Sequence, residues 1–264
     1  MKNFKNLISL FLVIVSFSFI SCENEPLDSS LLGANSTNNN SGGGGNSGGG
    51  GNSGGGGNTS SGDYWPAALN NTWSFSTNGA ASQQMKIVST SSLNGYTYYN
   101  FNSILGQGTQ VSGTAAMGMR KGSGDYYIKV YSSSANIGGG ITANQSDFEF
   151  LVLKDYLSVG QTWNGSYTQT TSYSGGGISL PSATTNSNYV GTILGTGLTE
   201  IVDGETFTNV IKLSIAQTVV ITGNPTATNL TTTYWFAKNV GIIKSETVNA
   251  GTTSTSVLTD YILN

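Results

Sequence analysis

The sequence predicts an all-β fold: an antiparallel meander of about eleven strands forming a barrel or a strongly curved sheet, preceded by a disordered tether. Three observations predict it. Apolar residues recur at every second position in run after run, the period of a half-buried strand. The runs are rich in β-branched and aromatic residues and are cut by Gly, Asn, Ser and Asp clusters, the chemistry of tight turns. No segment carries a convincing helical period, and the nearest approach is a single turn over Trp65–Leu69.

The chain opens on a cationic stretch with Lys2 and Lys5, then an apolar run from Leu7 to Ile20, then Ser21 and Cys22. That order is a secretory signal, expected to span 1–21. As a helix the apolar run reaches about 21 Å, short of the ~30 Å hydrocarbon core, so a permanent membrane span is not expected. Cys22 is the single cysteine of the chain. Phe19-Ile20-Ser21-Cys22 resembles the lipobox of bacterial lipoproteins, in which the cysteine is lipidated and becomes the new N-terminus. Ser21 fits that pattern, whereas Phe19 and Ile20 depart from it. Cys22 is thus the expected lipid-attachment residue. The acidic Glu23-Asn24-Glu25 after it resembles the surface-export signal of Bacteroidota lipoproteins. An outer-membrane lipoprotein is implied, facing the periplasm or the cell surface.

Residues 22–62 form the expected tether. Ser41 to Asn58 repeats SGGGGN three times and offers nothing to a core. A flexible coil of this length has an end-to-end distance of roughly 35 Å and an extended reach of about 140 Å.

The folded domain is expected over 63–264, with a candidate half-repeat at 63–155 and 156–264. Trp73 and Phe75 share a face, as do Met85 and Ile87. Tyr96 to Phe101 is aromatic on both faces. Tyr126, Ile128 and Val130 oppose Tyr127, Lys129 and Tyr131, and Phe148, Phe150 and Val152 alternate with Glu149 and Leu151. The longest apolar alternation places Ile211, Leu213, Ile215, Val219 and Ile221 on one side. Turns are expected at Leu93-Asn94-Gly95, Asp203-Gly204 and Gly223-Asn224-Pro225. The half-repeat rests on an echo: Asp63-Tyr64 precedes Thr72-Trp73 as Asp155-Tyr156 precedes Thr162-Trp163.

The same residues carry a resemblance. Tyr64-Trp65-Pro66 through Trp73 resembles the "YWPL…GN.W" opening of a group of Bacteroidota lipoproteins. Val202 to Leu213 is similar to their "vpaGtF.nvlkl" hairpin, and Tyr234 to Lys244 to their "YWfA.gVGlvk" segment. Asn239 stands where Gly or Pro is usual and Asp203 where Ala is common. The resemblance covers 63–75 and 156–250. It implies a lipid anchor and an all-β domain, and it carries over no catalytic or binding residue.

The composition excludes several chemistries. There is no histidine, which removes His-based triads and His-bearing zinc sites, and one cysteine makes no internal disulfide. Ten Lys+Arg against thirteen Asp+Glu leave no basic field for nucleic acid. No catalytic residue, metal ligand or cofactor is expected, and the protein reads as a non-enzymatic binding module for a glycan or apolar ligand, with a structural or adhesive surface protein contacting other proteins as the alternative and a His-independent glycoside hydrolase behind both. Asp147/Glu149 and Asp203/Glu205 are the densest acid pairs, read as a solvated strand and a polar turn rather than a glycosidase dyad. Asp203-Gly204-Glu205 has too few ligands for calcium. Arg120 beside Lys121 is a candidate anion site against the plainer reading of a surface charge pair. The expected partners are the membrane, through the lipid on Cys22, and a glycan, lipid or protein ligand. Aromatics on a β surface stack on sugars or line an apolar site, and Trp65, Tyr98, Tyr127 and Tyr131 are the candidates. Set against this, most aromatics of such a fold fill the core.

Overall fold

The computed structural model describes residues 59–81, 84–103, 117–177, 181–224 and 226–264. The expected signal segment, Cys22 and almost all of the expected tether lie outside the described residues. No helix occurs among those described. The strands are β1 (Thr72–Thr77), β2 (Ala80–Ala81), β3 (Met85–Leu93), β4 (Tyr96–Phe101), β5 (Met117–Gly122), β6 (Asp125–Val130), β7 (Ser133–Gly138) and β8 (Ile141–Gln145). They continue with β9 (Phe148–Lys154), β10 (Thr162–Gly175), β11 (Ala183–Val202), β12 (Glu205–Ile221), β13 (Ala227–Ala237), β14 (Gly241–Asn249) and β15 (Thr252–Ile262).

All belong to one antiparallel sheet, in the order β7-β8-β10-β11-β12-β13-β14-β15-β1-β3-β4-β5-β6-β9, with β2 paired to β1. The path has two ends, β7 and β9, so the sheet curls without closing. Fifteen strands are present among the described residues against about eleven expected, and the additions include the two-residue β2 and β7 (SSANIG) and β8 (ITANQ), which lack apolar alternation. The pairing of β7 and β8 comes mainly from the ladder that β8 makes with β10, since Ala143 is the one buried residue in the two strands.

The curl brings end strand β9 against β10 and β11. There the indole Nε1 of Trp163 donates to Leu151 O at 3.1 Å, and Leu151 N donates to the Tyr189 hydroxyl at 3.0 Å. Phe148 stacks on Tyr167 with ring centroids 4.3 Å apart. Side chains thus seal this seam where no strand ladder does, which also blunts an otherwise open edge.

Register puts the inward set of β12 where alternation predicts it. Leu213 and Val219 are buried, and Ile211 pairs across with the buried Phe236. Trp65, Trp73, Phe101 and Phe236 form the aromatic centre, with centroids 5.7–5.9 Å apart. Gly241, at φ +113, lies beneath two of these rings. A Cβ there would meet Trp73 Nε1 at 3.2 Å and Trp65 Cδ1 at 3.3 Å, so any side chain is both strained and crowded. Asn239 adopts a positive φ of 62°, a conformation asparagine tolerates better than most residues.

The segment entering β1 is fastened to the body. Ser60 Oγ and Ser61 N donate to the two carboxylate oxygens of buried Asp155, at 2.5 and 3.1 Å. Lys121 Nζ reaches both oxygens of Asp63 at 2.7 Å and Trp65 O at 2.9 Å.

Asn94-Gly95 and Asp203-Gly204 form the expected hairpin turns, with φ of 53/80° and 49/83°. These are the paired positive values of a type I′ turn. The β14–β15 hairpin turns on Ala250-Gly251, with φ of 46/80°. Alanine is the wrong residue at such a φ, since its Cβ crowds the backbone. Ala250→Asn is therefore expected to raise stability by about 0.5–1 kcal/mol. A higher urea midpoint with unchanged slope would show it, and an unchanged or lower midpoint would refute it.

Candidate functional site

Alternation gives β10–β13 one face toward the core and one toward solvent. Register then aligns the outward residues in rows across the strands. One row is Ser166, Asn188, Thr218 and Asn229; the next is Asn164, Val190, Ala216 and Thr231. These residues line an open groove of about 700 Å³. No charged side chain lines it. Thr218 Oγ1 donates to Asn229 Oδ1 at 2.8 Å. Asn164, Ser166, Asn188 and Thr231 are exposed and make no side-chain hydrogen bond among the described residues. Each amide offers two donors and an acceptor, and each hydroxyl offers both roles. Binding a neutral hydroxyl-rich molecule there desolvates no ion.

The aromatic candidates lie elsewhere. Trp65 is not a surface residue: it is fully buried, because the Asp63–Pro66 segment crosses the end of the sheet and inserts its indole between Phe101 and Phe236. Tyr98 is also buried, at 5% exposure, although it points away from the Phe101 side of β4. Arg120 and Glu149, from β5 and β9, cover it. Tyr98 donates its hydroxyl to Glu149 Oε2 at 2.6 Å. Arg120 makes a forked bond to the same carboxylate, through Nε at 3.1 Å and Nη2 at 2.5 Å. Its guanidinium lies between two rings, 4.3 Å from the centroid of Tyr96 and 3.5 Å from that of Tyr127. Burial, and then the hydrogen bond to Glu149, push the Tyr98 phenol up to about 12, so it stays a donor at neutral pH. Burial opposes the charge on Arg120, but Glu149 outweighs it and holds the guanidinium above its usual range.

Tyr127 and Tyr131 are half-buried. Tyr127 stacks on Arg120, and Tyr131 donates to Asn100 Oδ1 at 2.5 Å across Gly118. Three of the four candidates thus gather on the outer side of β4–β6, but in a satisfied network rather than an open platform. The anion reading of Arg120-Lys121 is also filled, by Glu149 and Asp63. Asp147 pairs with Lys129, so Asp147 and Glu149 each hold a cation rather than facing one another. Cys22 lies outside the described residues.

Sequence reasoning missed the groove residues. Their one signal was the Ser/Thr/Asn content of the positions alternating with the apolar set.

No family model matches the chain, and no curated protein matches it. Two crystal structures do. One is a "putative lipoprotein" from Parabacteroides distasonis ATCC 8503, with TM-score 0.47 and 11% identity, covering 76% of this chain and 99% of the other. The second is a "putative exported protein with YmcC-like fold" from Bacteroides fragilis NCTC 9343, with TM-score 0.42 and 13% identity over the same shares.

Proposed function

We propose that the protein is a lipoprotein of the cell envelope, anchored through Cys22 in the outer membrane, whose tethered domain is a non-enzymatic binding module for a glycan. The observation that carries the binding reading is the groove across β10–β13, where the amides of Asn164 and Asn188 and the hydroxyls of Ser166 and Thr231 have no partner among the described residues. Such groups match the hydroxyls of a pyranose chain and exclude nothing by charge. The anchor rests on Cys22 standing alone at the end of a signal-like segment. An apolar ligand is less favoured, because the large aromatics pack in the core or in the Arg120 network.

A second reading, an adhesive surface protein, is favoured by one observation. Among the described residues β7 ends the sheet and pairs with β8 alone, which leaves the other side of its backbone to a strand from another protein.

The test is titration of the full mature chain, with Cys22→Ser for solubility, against neutral polysaccharides such as dextran and β-glucan. Binding is expected, and Asn164→Ala with Asn188→Ala is expected to weaken it about tenfold through lost hydrogen bonds. Absence of binding, or binding indifferent to both changes, would refute the groove. Intact mass of membrane-extracted protein tests the anchor, which requires an acylated N-terminus at Cys22.

A further inference from the structure

The outward face that forms the groove continues along β12–β14 to a row of different chemistry: Lys212, Trp235 and Lys244, directly opposite one another on adjacent strands. Lys212 Nζ lies 4.8 Å from the centroid of the Trp235 ring, and Lys244 Nζ lies 4.6 Å from it. At ordinary strand spacing the two lysine backbones are about 10 Å apart, and the row lies about 13 Å along β13 from Thr231 of the groove.

Most other cations of the domain are engaged elsewhere, and Lys86, which has no ion pair among the described residues, stands over no ring. Arg120, Lys121, Lys129 and Lys154 each have a carboxylate partner, and Lys238 donates to Ser61 O. Lys212 and Lys244 make no ion pair among the described residues. Glu246, two residues beyond Lys244 on the same face, is the acid nearest in register, opposite Thr233, and it is paired with neither. In a chain where acids outnumber cations, two unpaired lysines astride one indole are a local excess of positive charge. Covering a tryptophan would need only their aliphatic stems. Both ammonium groups instead stand over the ring and remain free to take a further anion.

We propose that this row binds an anionic sugar residue, a uronate or a sulfated pyranose, of the glycan that lies in the groove. The two ammonium groups take the carboxylate or sulfate, while Trp235, buried at 6% exposure beneath them in the core cluster, holds them in place. The inference rests on the glycan reading and refines it: the ligand is an acidic polysaccharide with neutral stretches, not a neutral one.

The experiment compares dextran with dextran sulfate and with carboxymethyl dextran, which share one backbone, on the full mature chain carrying Cys22→Ser. Both acidic forms are expected to bind more tightly than dextran. Lys212→Gln with Lys244→Gln should lower affinity for the acidic forms about tenfold while leaving dextran unchanged, and the paired Arg variants should retain it. A control removing two other charges, Lys86→Gln with Lys238→Gln, should change affinity by less than about twofold. Equal loss in the control would show a diffuse charge effect and overturn the site. So would equal binding of dextran and its acidic forms, although the glycan reading would then stand. Failure of all three polymers to bind would overturn both. If the Gln pair does not fold, the single Gln variants decide: weaker acidic-polymer binding in either supports the site, and unchanged binding in both overturns it.

Discussion

Gly191→Ala is expected to destabilise the domain by about 3 kcal/mol, a large cost for one methyl group. Gly191 pairs directly with Trp163 across β10–β11. The indole lies over it, so that a Cβ would stand 2.2 Å from both Cε2 and Cζ2. The ring has no easy escape, because Nε1 is held by Leu151 O on the facing strand β9. Swinging it aside would leave a buried carbonyl unpaired, which costs roughly a further 1–3 kcal/mol. The neighbouring pair repeats the device in reverse. Tyr189 faces Gly165, whose Cβ would meet the tyrosine hydroxyl at 2.3 Å, and that hydroxyl accepts from Leu151 N. The two glycines thus admit the two rings that seal the seam.

A double-mutant cycle tests this directly. Trp163→Ala alone should cost about 3–5 kcal/mol as a large-to-small core change. In that background Gly191→Ala should cost almost nothing, or gain about 0.5 kcal/mol from the lower entropy of the unfolded chain. A coupling of about 3 kcal/mol is therefore expected from urea unfolding. Additive costs would mean that the ring does not need the glycine.

These pairs also mark how far the sequence could be read. The alternation of Ile211, Leu213 and Ile215 was legible because period two and a buried face are the same fact. So were Asn94-Gly95 and Asp203-Gly204, whose dipeptides require the φ values they adopt. Burial of Tyr98 was not legible. Alternation assigns its face, but the cover is a forked Arg120–Glu149 bond whose carboxylate lies 51 positions from Tyr98 and 29 from Arg120. Trp65 stands outside any strand, so no period bears on it. The groove is a property of register alone: Ser166, Asn188, Thr218 and Asn229 are unremarkable in their own strands and become a surface only when four strands align. Strands β7 and β8 stayed hidden for a related reason, since no buried face writes itself into their residues.

The last expected result separates two tryptophans that burial alone would treat as equals. Trp65 and Trp73 are both fully buried in the same cluster. Trp73→Ala should cost about 4 kcal/mol, as expected for a buried aromatic truncation, because Phe101 and Gly241 cannot close over the void. The conservative change is more informative. Trp73 Nε1 donates to Val240 O at 2.7 Å, so Trp73→Phe loses volume and also strands that carbonyl. A cost of about 2–3 kcal/mol is expected. Trp65 Nε1 has no partner among the described residues, so the wild type already carries the penalty of a buried, unsatisfied donor. Trp65→Phe loses similar volume but removes that donor, and the two effects oppose each other. It should cost about 1 kcal/mol or less. The ordering, rather than either value, is the test, read as the difference in urea midpoint between the two Phe variants. Equal costs would mean that the Val240 bond contributes nothing net, and that packing alone holds the β13–β14 turn against β1.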